Sequence, residues 1–383
     1  MSIESLIDVP LIDHHCHGVA PHDQQWEEFE DGLSEAFARA PEGTTHWDKP
    51  VGLSIRRWCP PLLDLEKFCT PEAYMERRLD LGAEEVNRRF MRASGLEAVL
   101  IDSGNKPERL LDVASMAEVS DCPAHEVVRL ESIAEAVASE GTSAKGFADA
   151  FAERLVAASR DAVGLKSILA YRATLAVDLT QPSPAEVADA AGRWLAEIEK
   201  TGTVRITHPV LERHLVWTGV ELARERGFPV QFHIGVGDPD ITINRCDPSH
   251  LTPFFIATEP LGVNFTLLHC YPFHREAGLL SENFPHVYFD VGFVLNWVGP
   301  SYARILGEAL ELVPFTKQLY SSDAYAHAEL YYLGALRFRK ALKFHLDRWI
   351  GEDECTPADA DRIVEFISRQ NSRRIYPLPG APA

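Results

Sequence analysis

Eight short apolar runs, most closed by a polar or ionisable residue and separated by stretches with helical spacing, constrain this chain more than any other feature. They cover residues 9–17 (VPLIDHHCH), 96–103, 126–131, 163–170, 229–235, 263–269, 287–291 and 318–323. Each has strand length. Between them, residues 143–159 place Phe147, Phe151, Leu155 and Val156 on one helical face, and 182–199 carries Ser183 as a cap. Residues 211–226, 303–312 and 327–348 are further helices by the same reading. Strand–helix alternation implies a parallel sheet, and eight repeats favour its closure into an α/β, (β/α)8 TIM barrel. The competing doubly wound open sheet lacks its glycine-rich loop after the first strand.

Residues 18–95 do not follow the repeat. They are rich in Trp, Phe and charge, look helical over 71–93, and are interrupted by Pro60–Pro61. The expectation is one domain over residues 1–383, with 18–95 a mostly helical insertion after the first strand. Trp26, Trp47 and Trp58 in that insertion either shape a lid or pack. The segment ITHPV (206–210) between two helices enlarges the fourth crossover, and the tail PLPGAPA is expected to be loose.

Charge narrows the partners. With 37 Lys and Arg against 57 Asp and Glu, the net charge of −20 repels phosphate backbones and anionic membranes. The reading is a small-molecule substrate, no nucleic acid and no membrane, with homo-oligomerisation open. Seven cysteines, an odd number without a CxxC pair, suit a reducing compartment. No basic-then-apolar leader opens the chain, and no apolar run nears the roughly 18 residues that span a bilayer. A cytoplasmic location is expected.

The chemistry begins at Asp13-His14-His15-Cys16-His17. On a strand, residues i and i+2 point the same way, so His15 and His17 offer two imidazoles on one side, suited to one divalent ion. Asp13 points the same way and can support them; Cys16 is turned off into the core. His233 and His269 end two further runs, and in a barrel all such ends converge on one mouth. Taken alone, each is more often a hydrogen-bonded core histidine. Asp323 ends the eighth run, where it can bind metal, take a proton from water, or cap the following helix. His274 and His327 follow strand ends and can line the pocket. Gly235-Val236-Gly237-Asp238 reads as a turn allowing close backbone approach.

This set, in this order, resembles the amidohydrolase superfamily, and more narrowly its amidohydrolase-related branch. The closing stretch 367–376, ISRQNSRRIY, is similar to that branch's last helix, and GLKSILAYR (164–172) and 323–335 resemble the amidohydrolase half of glutamine-synthetase fusion proteins. The resemblance implies that His15, His17 and His233 are metal ligands. It makes Asp323 the remaining ligand or the base that activates water, and His269 the group that polarises a carbonyl or binds a second metal. Lys166 stands where binuclear members carry a carbamylated lysine; otherwise it, like Arg172, is a cation for a substrate carboxylate or an ordinary ion-pair partner.

The implied cofactor is a divalent metal, zinc first, one ion with a second possible in binuclear members. The implied reaction is hydrolysis of an amide-type C–N bond in a small carboxylate-bearing substrate, a γ-glutamyl compound being the first candidate. Three alternatives stand beside it: non-oxidative decarboxylation, isomerisation of a uronate, and a non-catalytic binding barrel.

Overall fold

The computed structural model describes residues 9–105 and 107–379, so the last four residues of the expected loose tail lie outside the described part. The chain divides into two compact units: residues 1–125, 237–239 and 290–372, and residues 126–236, 240–289 and 373–383.

In the first unit, β1 (Leu11–Cys16) and β2 (Leu96–Asp102) pair in parallel, with Asp13 opposite Val99 and Cys16 opposite Ile101. β1 is buried along its whole length, as expected for a strand covered on both faces. The run ending at Asp323 follows β1 on its other side. His14 N–H donates to the Tyr320 carbonyl (3.1 Å), Asp323 N–H to His15 (3.0 Å) and His17 N–H to Ala324 (2.9 Å). It does not form the regular eighth strand that its sequence pattern predicts. Ser322 N–H turns to the Asp13 side chain at 2.9 Å, and Asp323 and Ala326 adopt left-handed conformations (φ 48° and 60°) that break the pleat.

Between β1 and β2 the chain forms the helices Trp26–Asp31, Pro50–Trp58, Pro71–Leu81 and Ala83–Ala93. The helical stretch expected over 71–93 is thus two helices. Gly82 divides them at φ 79°, a conformation that favours glycine. Thr70 caps the first by accepting from Ala73 N–H at 3.2 Å. Phe29, Trp47, Tyr74, Phe90 and Met91 from this stretch share one apolar core with Cys16, Val19, Val99, Tyr331 and Leu333. Burying each large side chain contributes about 1.5–3 kcal/mol, which anchors the helices to the strand that carries the site. Trp47 belongs to this core, stacked on Phe29 with centroids 5.3 Å apart, so its role is packing.

In the second unit, β3 (Ala124–Arg129, in this unit from Glu126 on), β4 (Gly164–Ser167), β5 (Val230–His233), β6 (Phe265–Leu268) and β7 (Val287–Phe289) pair in parallel in chain order. Helices alternate with them. Pro184–Thr201 opens with a reciprocal capping box between Ser183 and Glu186, and Pro209–Arg226 ends at left-handed Gly227. The third strand lies two residues earlier than its predicted run, because Leu130 already opens the helix Leu130–Glu140. The fold is α/β and TIM-barrel-like. All seven cysteines are free; Cys69 and Cys355 are partly exposed and the other five buried.

Candidate metal centre

The alternation of β1 brings His15 and His17 to one side, where Asp323 meets them. Asp323 Oδ1 lies 3.1 Å from His15 Nε2 and 3.4 Å from His17 Nε2, and one ligand atom from each residue falls within 4.8 Å of the others. His15 is fully buried, while the Asp323 side chain keeps 13 % exposure, so the cluster is reachable from one side.

The hydrogen bonding of His17 tests whether these residues suit a metal. Its Nδ1 lies 3.0 Å from the Asp102 carbonyl oxygen, which can only accept, so Nδ1 carries the proton. In the Nδ1–H tautomer Nε2 is left to offer its lone pair beside the Asp323 carboxylate oxygen at 3.4 Å, an arrangement that a shared cation would satisfy. Two imidazoles and one carboxylate are ligands that divalent transition metals take, and the Asp102 carbonyl fixes the tautomer as outer-shell partners do.

Neighbouring residues hold the cluster in place. His14, facing the other way, pairs with Asp290 at 2.9 Å, both fully buried, and Gly292 N–H donates to the same carboxylate at 2.6 Å. Asp13 accepts from Ser322 N–H, which sets the backbone just before Asp323; burial pushes its carboxyl up to about 8. Tyr331 hydroxyl donates to the His17 carbonyl, and Asn296 to the Ser322 carbonyl at 2.8 Å. Cys16, as its place in the alternation predicts, points away and donates to the Leu100 carbonyl at 3.4 Å. The capping role open to Asp323 is absent: the helix Ala328–Gly351 starts five residues later, with His327 at its N-cap.

One group near this cluster, Glu35, was not legible as a site residue, and another, His327, departs from the expected pocket lining. Glu35 has its carboxyl pushed up to about 7, by burial first and then by the charges of Asp323 and Asp238, against the opposing charge of Lys49. His327 does not line a pocket. It is fully buried, its Nε2 lies 3.1 Å from the Phe29 carbonyl oxygen, and its Nδ1 lies 3.0 Å from Gln24 Oε1, which also accepts from Arg78. Burial, with help from the Arg78 charge, pushes it down to about 4, while Glu329 and Glu28 oppose the shift. Beside it, Arg78 Nε donates to Glu329 at 2.6 Å, and a Cβ on Gly32 would stand 2.1 Å from the His327 ring. This knot ties residues 24–32 to the segment that follows Asp323.

The remaining candidates belong to the second unit. His233 ends β5 and His269 follows β6, their ring centroids 4.7 Å apart, and Tyr171 packs on His233 at 4.4 Å. His233 Nε2 lies 2.8 Å from the Val236 carbonyl, so that nitrogen donates. His269 and Cys270 both take left-handed conformations (φ 68° and 55°), strain of the kind that gathers at functional positions. Gly235 (φ 71°) permits a close backbone approach: a Cβ there would sit 2.2 Å from the Tyr271 carbonyl. His274 opens the helix His274–Asn283 with its ring parallel to Tyr271. Lys166 is buried in β4, and Arg172, in the turn Leu169–Arg172, forms an ion pair with Glu135 at 3.2 Å.

Comparison with known proteins agrees with this chemistry. An amidohydrolase family model matches residues 123–378, a stretch that includes Asp323 and begins after β1. Protein fluG of Emericella nidulans is 28% identical over 420 residues, covering all of this chain and 47% of that protein, so the chain spans about half its relative's length. A solved structure described as a metal-dependent hydrolase from Lactobacillus casei superposes with a TM-score of 0.82 at 28% identity, covering 97% of this chain and 96% of the other. The uronate isomerase of Thermotoga maritima shares the fold at 12% identity, with a TM-score of 0.66 over 98% of this chain and 96% of its own. Among the described residues no helix is long and apolar enough to cross a membrane. With two-thirds of its length matched by the family model, and its histidines and aspartate gathered as metal chemistry requires, the chain belongs to the amidohydrolase family.

Proposed function

We propose that the chain is a zinc-dependent hydrolase of an amide-type C–N bond in a small carboxylate-bearing substrate. The observation that carries the reading is the contact between the His17 Nε2 lone pair and the Asp323 carboxylate, which a divalent cation would resolve. His15, His17 and Asp323 would hold that cation; two nitrogens and one oxygen suit zinc. When bound, the ion would supply Lewis acidity, lowering the pKa of an adjacent water toward neutrality.

The residues divide the remaining work. Asp323, the most exposed of the three, takes the proton of the attacking water and returns it to the leaving amine. His233 and His269 enter on their sequence pattern, as a further ligand and as the group that polarises the carbonyl. Lys166 and Arg172 are the cations proposed for the substrate carboxylate, with a γ-glutamyl amide as first candidate. A reducing, cytoplasmic setting fits seven unpaired cysteines.

Product analysis tests the reaction. Incubation of the zinc-loaded protein with a panel of carboxylate-bearing amides should release ammonia or amine. Carbon dioxide released from aromatic acids, with no amine from the amides, would transfer the assignment to decarboxylation.

A further inference from the structure

The second unit gathers ionisable side chains around Arg172, two of them fully buried carboxyls that the proposed reaction does not use. Glu131 and Glu135 lie on the helix Leu130–Glu140, Glu212 on Pro209–Arg226, Arg129 at the end of β3, and Arg172 in the turn after β4. Glu131 and Glu212 are both 0 % exposed.

Their surroundings differ in a way that decides their charge. Burial pushes the Glu131 carboxyl up, but Oε1 accepts from the Ser167 hydroxyl at 2.7 Å and from Ile168 N–H at 2.8 Å, and the first of these bonds and the charges of Arg172 and Arg129 oppose the shift. Both carboxyl oxygens of Glu212 and Oε2 of Glu131 are buried without an N–H or O–H donor among the described residues, and the Glu212 carboxyl lies close enough to feel the Glu131 charge. A bare carboxylate in that position would be costly, and two facing carboxylates cannot both stay ionised.

We infer that Glu131 and Glu212 share one proton, held on Glu212, and that this acid–carboxylate pair together with Glu135 positions the Arg172 guanidinium for an anionic ligand. Burial, then the Glu131 charge, pushes the Glu212 carboxyl far up, in keeping with a proton held there. Glu131 keeps the negative charge that balances Arg172. Glu135 pins Arg172 Nη2 at 3.2 Å while its Oε1 also accepts from Ile206 N–H at 3.0 Å. Arg172 Nε and Nη1 are buried and have no acceptor among the described residues, so two donors of a held guanidinium are left for an anion. The positioning role rests on the proposal that Arg172 takes the substrate carboxylate; the shared proton does not.

The test pairs conservative and disruptive variants. At neutral pH the infrared difference between wild type and Glu212→Gln should show one carboxylic-acid C=O band lost, and that band should shift in D2O. Glu212→Gln should melt close to wild type, because its amide N–H replaces the acid O–H. Glu212→Leu and Glu131→Gln, which lose the donor and the counter-charge, should melt several degrees lower. Survival of the acid band in Glu212→Gln, or Glu212→Gln melting as low as Glu212→Leu, overturns the shared proton. Glutarate, titrated calorimetrically into the zinc-loaded protein, should bind about tenfold more weakly to Glu131→Gln and with unchanged affinity to Glu212→Gln. Equal affinity in all variants, or no binding to wild type, overturns the positioning of Arg172. Neither result bears on the amine-release assay, so the two proposals fail separately.

Discussion

Asp323 and His15 are joined twice: the Asp323 backbone N–H donates to the His15 carbonyl at 3.0 Å, and Asp323 Oδ1 stands 3.1 Å from His15 Nε2. The main-chain bond fixes where the side chain begins, within reach of the imidazole. That separation of backbone and side-chain roles lets substitution remove the chemistry and leave the fold.

Asp323→Asn keeps the side chain's size, suits the left-handed backbone at this position, and leaves the bond to His15 intact. No helix cap is lost, because the helix starts at Ala328. The melting temperature should stay nearly unchanged while the turnover number falls at least about 10²-fold. Near-normal turnover would leave the proposed mechanism without its base.

Metal loading should depend on His17. His17→Ala removes a ligand whose tautomer is fixed by Asp102, and elemental analysis after dialysis should find its metal content well below that of wild type. A chelator should abolish wild-type turnover and zinc should restore it. Added zinc should also raise the wild-type melting temperature, since a ligand of the native state stabilises it. Equal metal content in both proteins would remove His17 from the centre.

His327 makes stability depend on pH. Unfolded, its imidazole takes a proton near 6.5; folded, burial holds that off to about 4. Between those values the unfolded state binds more protons, so the contribution is complete above pH 6.5 and is lost as pH falls through 6.5 toward 4. The loss is on the order of 3 kcal/mol. Urea unfolding of His327→Gln should show a smaller loss between pH 7.5 and 5 than wild type. Identical pH slopes would place the titration elsewhere.

The clustering of His15, His17 and Asp323 was partly legible in the sequence because a two-residue period needs no tertiary information. His15 and His17 follow from alternation on β1, and Asp323 from its place at the end of an apolar run. What escaped reading depends on contacts distant along the chain. The Asp102 carbonyl that sets the His17 tautomer carries no side-chain signal at all. The His14–Asp290 pair spans 276 residues, and Glu35 stands out only once its charged neighbours are in place. The eighth run shows a subtler limit: its apolar pattern is that of a strand, yet Asp13 intercepts the Ser322 N–H that a regular ladder would use. For Arg172 the residue type suggested an anion site or an ion pair, and the pair with Glu135 is present.

The distribution of cysteines bears on how the protein can be handled at the bench. Cys16 lies between two proposed ligands, but its thiol faces the core and donates to Leu100. Burial raises it well above its ordinary range, so little thiolate forms there. Alkylating reagents and fluorophores would therefore attach first at Cys69 and Cys355, the partly exposed pair. A spectroscopic reporter can be tethered to this protein without engineering a cysteine-free background and without touching the strand that carries His15 and His17.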